Sequence, residues 1–243
     1  MRQLQLPEFV PGGIEVWRVA LETSREPDAE AWGVLSREER KRARRFRNMA
    51  DRVRAVTTRA ALRRLLAHRL GMAPEVPRFV EGPYGKPSLP EGGGLEFNVS
   101  HAGDIALIAL APGGAVGVDV ELRYPDAELA ALLDHFLSPR ERAEHESGQA
   151  VLPLIERWVA KEAALKALGV GIGECLKTIS ILGKTGDSRG RYRLRHARPE
   201  WPELNAWPLE APKGYVAALA VAGSASKTVS VVTEKNGVCN DRS

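Results

Sequence analysis

At 243 residues the chain can bury a sizeable core as one large domain or two small ones, with no need of disulfide staples. With 44% hydrophobic and 27% charged residues it falls among ordinary globular proteins, which excludes the disordered and fibrous classes. The net charge of +4 hides an asymmetry: residues 36–69 hold 13 Lys and Arg against 3 acids, so an anionic partner (nucleic acid, a phosphorylated small molecule or an acidic protein) is expected there.

Cys175 and Cys239 are isolated, without metal-ligand spacing, as in a reducing compartment. The N-terminus lacks the apolar segment of a secretory signal. The apolar run 105–118 is interrupted by Pro112, Gly113 and Gly114, too early for a spanning helix. The expectation is a cytoplasmic protein that does not enter a membrane.

In chain order, residues 13–21 alternate and read as a first strand. Residues 28–35 form a short helix, and Ser36 with Glu39 makes a capping box that opens another. After a break at 48–51 a long helix runs to about Leu70. Its apolar stripe is Thr58, Leu62, Leu65, Leu66 and Leu70, and Gly71 and Pro74 stop it. Pro and Gly crowd residues 74–94 and fix Lys86 between Gly85 and Pro87, as in loops that position binding groups. Residues 95–100 alternate with Phe97 and Val99 inward and deliver Ser100 and His101. Residues 104–110 and 115–121 follow as strands joined by the Pro112-Gly113-Gly114 turn, which predicts a meander with acids on its last strand.

Residues 126–136 and 138–145 are helices, the second with Ser138 as N-cap, Pro139 at its first position and Glu141 closing a capping box. Residues 151–168 form a third, with Leu154, Trp158, Leu165 and Leu168 as its buried stripe and Ile155, Glu162 and Lys166 along the next arc. Spacing alone makes Glu162 and Lys166 an ordinary salt bridge of about a few tenths of a kcal/mol. Residues 179–182, 192–196, 215–222 and 228–233 read as strands. The fold class is α+β, with similar halves at 1–112 and 113–233 and a polar tail at 234–243.

The chemistry gathers at Gly117-Val-Asp-Val-Glu121. A strand there turns Val116, Val118 and Val120 to one face and Gly117, Asp119 and Glu121 to the other. Two acids on one side of a half-buried strand need water, a cation or a basic partner. A divalent cation satisfies both, and hard oxygen ligands suit Mg²⁺. A solvent-facing strand end is the plainer alternative.

The order Gly85-Lys86-Pro87, Phe97-Asn-Val-Ser-His101, Gly117-Val-Asp-Val-Glu121 and Trp158-Val-Ala-Lys-Glu-Ala-Ala-Leu-Lys166 resembles the phosphopantetheinyl transferases of the surfactin-synthetase-activating (Sfp) type, over about residues 36–175. The resemblance implies an internally duplicated, monomeric fold of two small, mainly antiparallel sheets packed with helices. It implies transfer of the 4'-phosphopantetheine arm of coenzyme A to a serine of an acyl or peptidyl carrier protein, with release of 3',5'-adenosine bisphosphate. By the same token Asp119, Glu121 and Glu162 hold Mg²⁺, or Mn²⁺ in its place, and Lys166 lies on the phosphates. Glu162 is the first candidate for general base, with a metal-polarised water as its competitor. Lys86, Ser100 and His101 match contacts to the nucleotide end of coenzyme A. On the early helix the family's lysines and threonine give way to Glu39, Arg42 and Ala55, which leaves Arg54 as the candidate contact. The basic stretch then grips phosphate or receives the acidic helix of a carrier. A nucleic-acid-binding protein would explain the charge but leave the three acids without a purpose, and a coenzyme A binder without turnover would leave Lys166 without one.

Overall fold

The computed structural model describes residues 1–90, 93–171, 173, 175–186 and 190–223. The expected strand at 228–233 and the tail at 234–243 lie outside the described residues. Arg2–Gln3 (β1) pairs with Glu15–Ala20 (β2). Three helices follow, and each starts at a side-chain cap: Asp28 for Ala29–Gly33 (α1), Ser36 for Arg37–Ala43 (α2) and Asn48 for Met49–Leu70 (α3). Such caps contribute about 1 kcal/mol each. The box expected at Ser36 is complete, with Ser36 N donating to Glu39 Oε2 at 2.8 Å and Glu39 N to Ser36 Oγ at 3.2 Å. Gly71, left-handed at φ 65°, ends α3.

A hairpin of Val80–Glu81 (β3) and Pro87–Ser88 (β4) precedes Leu95–Ala102 (β5), Ile105–Pro112 (β6) and Val116–Leu122 (β7). Two short helices, Asp126–Leu129 (α4) and Leu133–Phe136 (α5), flank a single 3₁₀ turn where one continuous helix was expected. Pro139–Glu146 (α6) carries the predicted capping box on Ser138 and Glu141. Leu154–Leu168 (α7) then leads to Ile179–Lys184 (β8), Tyr192–His196 (β9), Leu204–Leu209 (β10) and Tyr215–Ala222 (β11).

Apart from the β3–β4 hairpin, the described strands form two antiparallel sheets, ordered β1-β2-β6-β5 and β7-β11-β10-β9-β8. The predicted meander is therefore wrong. β6 is already bonded to β2 on one edge and β5 on the other, so β7 finds no edge there and pairs with β11 instead. The turn at 112–114 is a crossing between sheets. Part of the order is similar on either side of it: a strand, a long helix and a closing pair of strands give β2-β6-β5 first and β7-β11-β10 second, with β8 and β9 added between α7 and that pair in the second.

Four layers result. Val19, Leu62, Leu66, Ile108 and Leu110 pack α3 on the outer face of the first sheet. Val16, Leu107 and Ala109 on its inner face meet Val116, Val118, Val120 and Leu219 of the second sheet. Val159, Ala163, Ala218 and Ala220 join α7 to the far face of that sheet. A strand buried on both faces needs apolar residues throughout, which explains Ile105 to Ala111, and each large side chain buried there contributes roughly 1.5–3 kcal/mol. Among the described residues no helix is long and apolar enough to cross a membrane.

Helix α7 is buried nearly all round, so the predicted stripe was too narrow. Among its polar interior contacts is Lys161, whose Nζ donates to Glu141 Oε2 at 2.5 Å, Phe136 O at 2.6 Å and Leu176 O at 3.2 Å. Glu141 also accepts from Ile181 N at 2.8 Å, so one fully buried carboxylate ties α6 to α7 and β8. Burial pulls the Lys161 ammonium down to about 8, with Glu141 opposing the shift.

Candidate active site

Gly117 determines how near the acidic strand comes to α7. A Cβ at this position would overlap Ala163 O and the backbone N of Ala167, both main-chain atoms. Only glycine lets the two backbones touch, and the touch brings Asp119 and Glu121 beneath Glu162 and Lys166. The predicted alternation holds, with Val116, Val118 and Val120 in the core between the sheets and the acids on the other face.

Asp119, Glu121 and Glu162 each offer an oxygen, and these oxygens lie within 4.8 Å of one another. Asp119 is fully buried, Glu162 is buried at 8% exposure and Glu121 is partly exposed. Lys166 answers them: Nζ donates to Asp119 Oδ1 at 2.5 Å and stands 3.7 Å from Glu162 Oε2. Burial first, and then the charge of Asp119, push Glu121 and Glu162 each up to about 7, with Lys166 opposing. Burial acts to lower the Lys166 pKa, but the pull of Asp119 and then Glu162 outweighs it and the pKa is raised. Three acids against one lysine leave the cluster short of positive charge. Asp119 Oδ2 is buried without a hydrogen-bond partner among the described residues. An all-oxygen donor set with an uncommitted buried carboxylate oxygen fits a hard divalent cation.

Beside this cluster lies a half-open cavity of about 950 Å³, roofed by α2 and the 75–81 segment and floored by α3 and β5. Arg54 lines it, held by Nε to Gly103 O at 2.8 Å and Nη1 to Asp51 Oδ1 at 2.8 Å. His101 lines it too, its pKa lowered by desolvation first and, with its own backbone hydrogen bond opposing, by Arg54 and Lys166. Gly103, at φ 50°, is crowded by Tyr215 Oη, which accepts from Asp104 N at 3.1 Å and pins the β5–β6 turn to β11.

Sequence reasoning grouped Ser100 with His101, but adjacent strand residues face opposite ways. Val99 and His101 face the cavity, whereas Ser100 Oγ donates to Asp119 Oδ1 at 2.8 Å and accepts from Lys166 Nζ at 3.1 Å. Lys86 reaches the second sheet: Nζ donates to Val116 O at 3.2 Å and Ala167 O at 3.1 Å, and burial lowers its pKa. Its ammonium thus caps the carbonyl end of α7.

Two residues of the cavity wall escaped the sequence reading. Thr58 Oγ1 and Arg59 Nη1 are buried without hydrogen-bond partners among the described residues. Arg59 lies over the Phe79 ring at 4.5 Å and shares Glu39 with Arg63, at 3.5 and 2.7 Å, so two guanidiniums lean on one carboxylate. Thr58 fell within the apolar stripe and Arg59 within the basic run, so neither stood out. The basic stretch is partly neutralised, since seven of its cations form ion pairs within the chain: Arg42, Arg52, Arg54, Arg59, Arg63, Arg64 and Arg69. Arg37, Lys41, Arg45 and Arg47 are exposed.

An acid cluster with a lysine beside an arginine-lined cavity suits chemistry on phosphate esters. Residues 115–220 match the model of the 4'-phosphopantetheinyl transferase superfamily, and residues 23–113 match that of the 4'-phosphopantetheinyl transferase N-terminal region. The 4'-phosphopantetheinyl transferase HetI of Nostoc is 32% identical over 218 residues, covering 86% of this chain and 88% of its own. The Synechocystis protein slr0495 is 39% identical over 151 residues, 60% of this chain and 61% of its own length. A phosphopantetheinyl transferase of Thraustochytrium is 33% identical over 191 residues, covering 70% of this chain and 66% of its own. The chain belongs to the 4'-phosphopantetheinyl transferase superfamily.

Proposed function

We propose that the protein, acting as a monomer in the cytoplasm, transfers the 4'-phosphopantetheine arm of coenzyme A to the serine hydroxyl of an acyl or peptidyl carrier protein. The observation that carries this reading is Lys166 bonded to Asp119 with Glu162 on the same helix face, beside an arginine-lined cavity of nucleotide size. In the reaction the serine oxygen bonds to the phosphorus that bears the pantetheine, the bridging P–O bond breaks, and 3',5'-adenosine bisphosphate leaves. Glu162 takes the serine proton. Lys166 offsets the charge that grows on the leaving phosphate.

Asp119, Glu121 and Glu162 would hold Mg²⁺, which when bound supplies charge neutralisation to the pyrophosphate. Arg54, His101, Thr58 and Arg59 offer donors to the nucleotide end within the cavity. Gly85 and Pro87 line the cavity, whereas the ammonium of Lys86 between them is bonded to Val116 O and Ala167 O, so a nucleotide contact from Lys86 requires it to leave those carbonyls. Exposed Arg37, Lys41, Arg45 and Arg47 suit the acidic helix of a carrier. The test is intact-mass spectrometry of apo carrier proteins incubated with this protein, coenzyme A and Mg²⁺. A gain of one arm, abolished by chelator, is expected, and no gain on any fatty-acid, polyketide or nonribosomal-peptide carrier would defeat the proposal.

A further inference from the structure

Strand β7 has one edge without a strand partner among the described residues. Its other edge pairs with β11, and β5, which lies alongside, is committed to β6 and belongs to the other layer. A buried backbone N–H left without an acceptor costs about 1–3 kcal/mol. Two side chains of β5 take the place of a strand: Asn98 Oδ1 accepts from Val118 N at 2.9 Å and Ser100 Oγ from Val120 N at 3.4 Å. Their spacing of two matches that of the donors, so the first sheet grips the acidic strand on both sides of Asp119.

Ser100 has a second engagement. Its hydroxyl donates to Asp119 Oδ1 at 2.8 Å, and Lys166 donates to the same oxygen at 2.5 Å. Both donors therefore converge on Oδ1, and Oδ2 keeps its lone pairs uncommitted in a buried position. The terminal torsion of an aspartate is soft. With Ser100 gone, only a lysine with three rotatable donors would hold the carboxylate, and an ammonium is shared readily between two oxygens.

We infer that Ser100 is a positioning residue of the acid cluster, reserving Asp119 Oδ2 for the divalent cation. The inference rests on the metal reading proposed above. It gives the first sheet a part in a cluster whose acids all belong to the second sheet and α7. Residues behind metal ligands set affinity through such hydrogen bonds, and their loss weakens binding by about 10- to 100-fold.

The experiment compares wild-type protein with Ser100→Ala, Ser100→Cys and Ser100→Thr by three readouts. Mn²⁺ affinity is measured from the free-ion electron paramagnetic resonance signal with coenzyme A present, coenzyme A affinity by calorimetry in chelator, and melting temperature in chelator. Ala and Cys are expected to weaken Mn²⁺ binding by about 10- to 100-fold while coenzyme A affinity in chelator holds, and Thr, which keeps the hydroxyl, to restore it. Unchanged Mn²⁺ affinity in Ala and Cys would overturn the inference. So would a loss of coenzyme A affinity in chelator with Mn²⁺ affinity intact, which would return Ser100 to the nucleotide. Failure of the wild-type protein to bind Mn²⁺ would be recognised without any variant, and would remove the metal reading together with this inference.

Discussion

Lys166 Nζ and Asp119 Oδ1 stand 2.5 Å apart across the junction of α7 and β7. The strand that supplies two of the acids and the helix that supplies the third are thereby joined by one charge-assisted hydrogen bond, roughly twice as strong as a neutral one.

Replacing Lys166 by Met keeps the length of the stem and removes the charge. The turnover number should fall by about 10²–10³-fold, as for loss of one donor to a developing anion, with a smaller change in KM for coenzyme A. Steady-state kinetics on an apo carrier protein check this, and a loss confined to KM would place Lys166 in binding alone.

The acid cluster also sets how metal-free stability depends on pH. Burial and the charge of Asp119 hold Glu121 and Glu162 at about 7, against 4.5 for an ordinary glutamate. The folded state therefore keeps protons that the unfolded chain has released. Stability from these groups is fully present below about 4.5 and is lost as pH rises through about 7. Melting temperature in chelator should decline from about pH 5 to about pH 8. Added Mg²⁺ should raise it far more at the higher pH, because the cation binds the deprotonated acids. A chelated protein whose melting point stays level across that range would contradict the origin given for the shifts.

At Gly117 an added methyl has nowhere to go, since the atoms it meets are backbone. Gly117→Ala should cost about 3 kcal/mol in urea denaturation, at the upper end of ordinary overpacking, and should abolish transfer even under conditions where the protein stays folded. Near-wild-type activity would mean that α7 and β7 separate without harm to the site.

Arg59 lines the cavity, and its Nη1 is buried there without a hydrogen-bond partner among the described residues. With Arg59→Gln the KM for coenzyme A should rise about tenfold at nearly constant turnover, the value of a charged hydrogen bond. Dephospho-coenzyme A, which lacks the 3'-phosphate, should lose less. Equal losses for both would move Arg59 away from that phosphate.

Local signals in the sequence were dependable where the cause was local. The capping boxes at Ser36 and Ser138, the stop at Gly71 and the alternation through Val116 to Glu121 depend on neighbours within four residues, and each stands in the structure as read. The meander failed because β6 takes its partners from residues 15–20 and 95–102, which no turn signal at 112–114 reveals. β10 was missed because Pro208 interrupts its pattern, yet Pro208 lies beyond Ala206, which is in register with Tyr192 of β9, where its lack of an N–H is tolerated. Among the candidate residues, Asp119, Glu121, Glu162 and Lys166 do gather, because strand and helix periodicity fix their faces. The separation of Ser100 from His101 depends on which sheet lies on which side of β5, a fact of tertiary packing.

The contact at Gly117 bears on how this protein tolerates mutation. Where a strand and a helix are held apart by side chains, every change of core volume alters their spacing. Here main chain meets main chain at the centre of the junction. Changes of size among the apolar residues around α7 therefore leave the spacing of strand and helix anchored at this contact, whereas a side chain at residue 117 alters it directly.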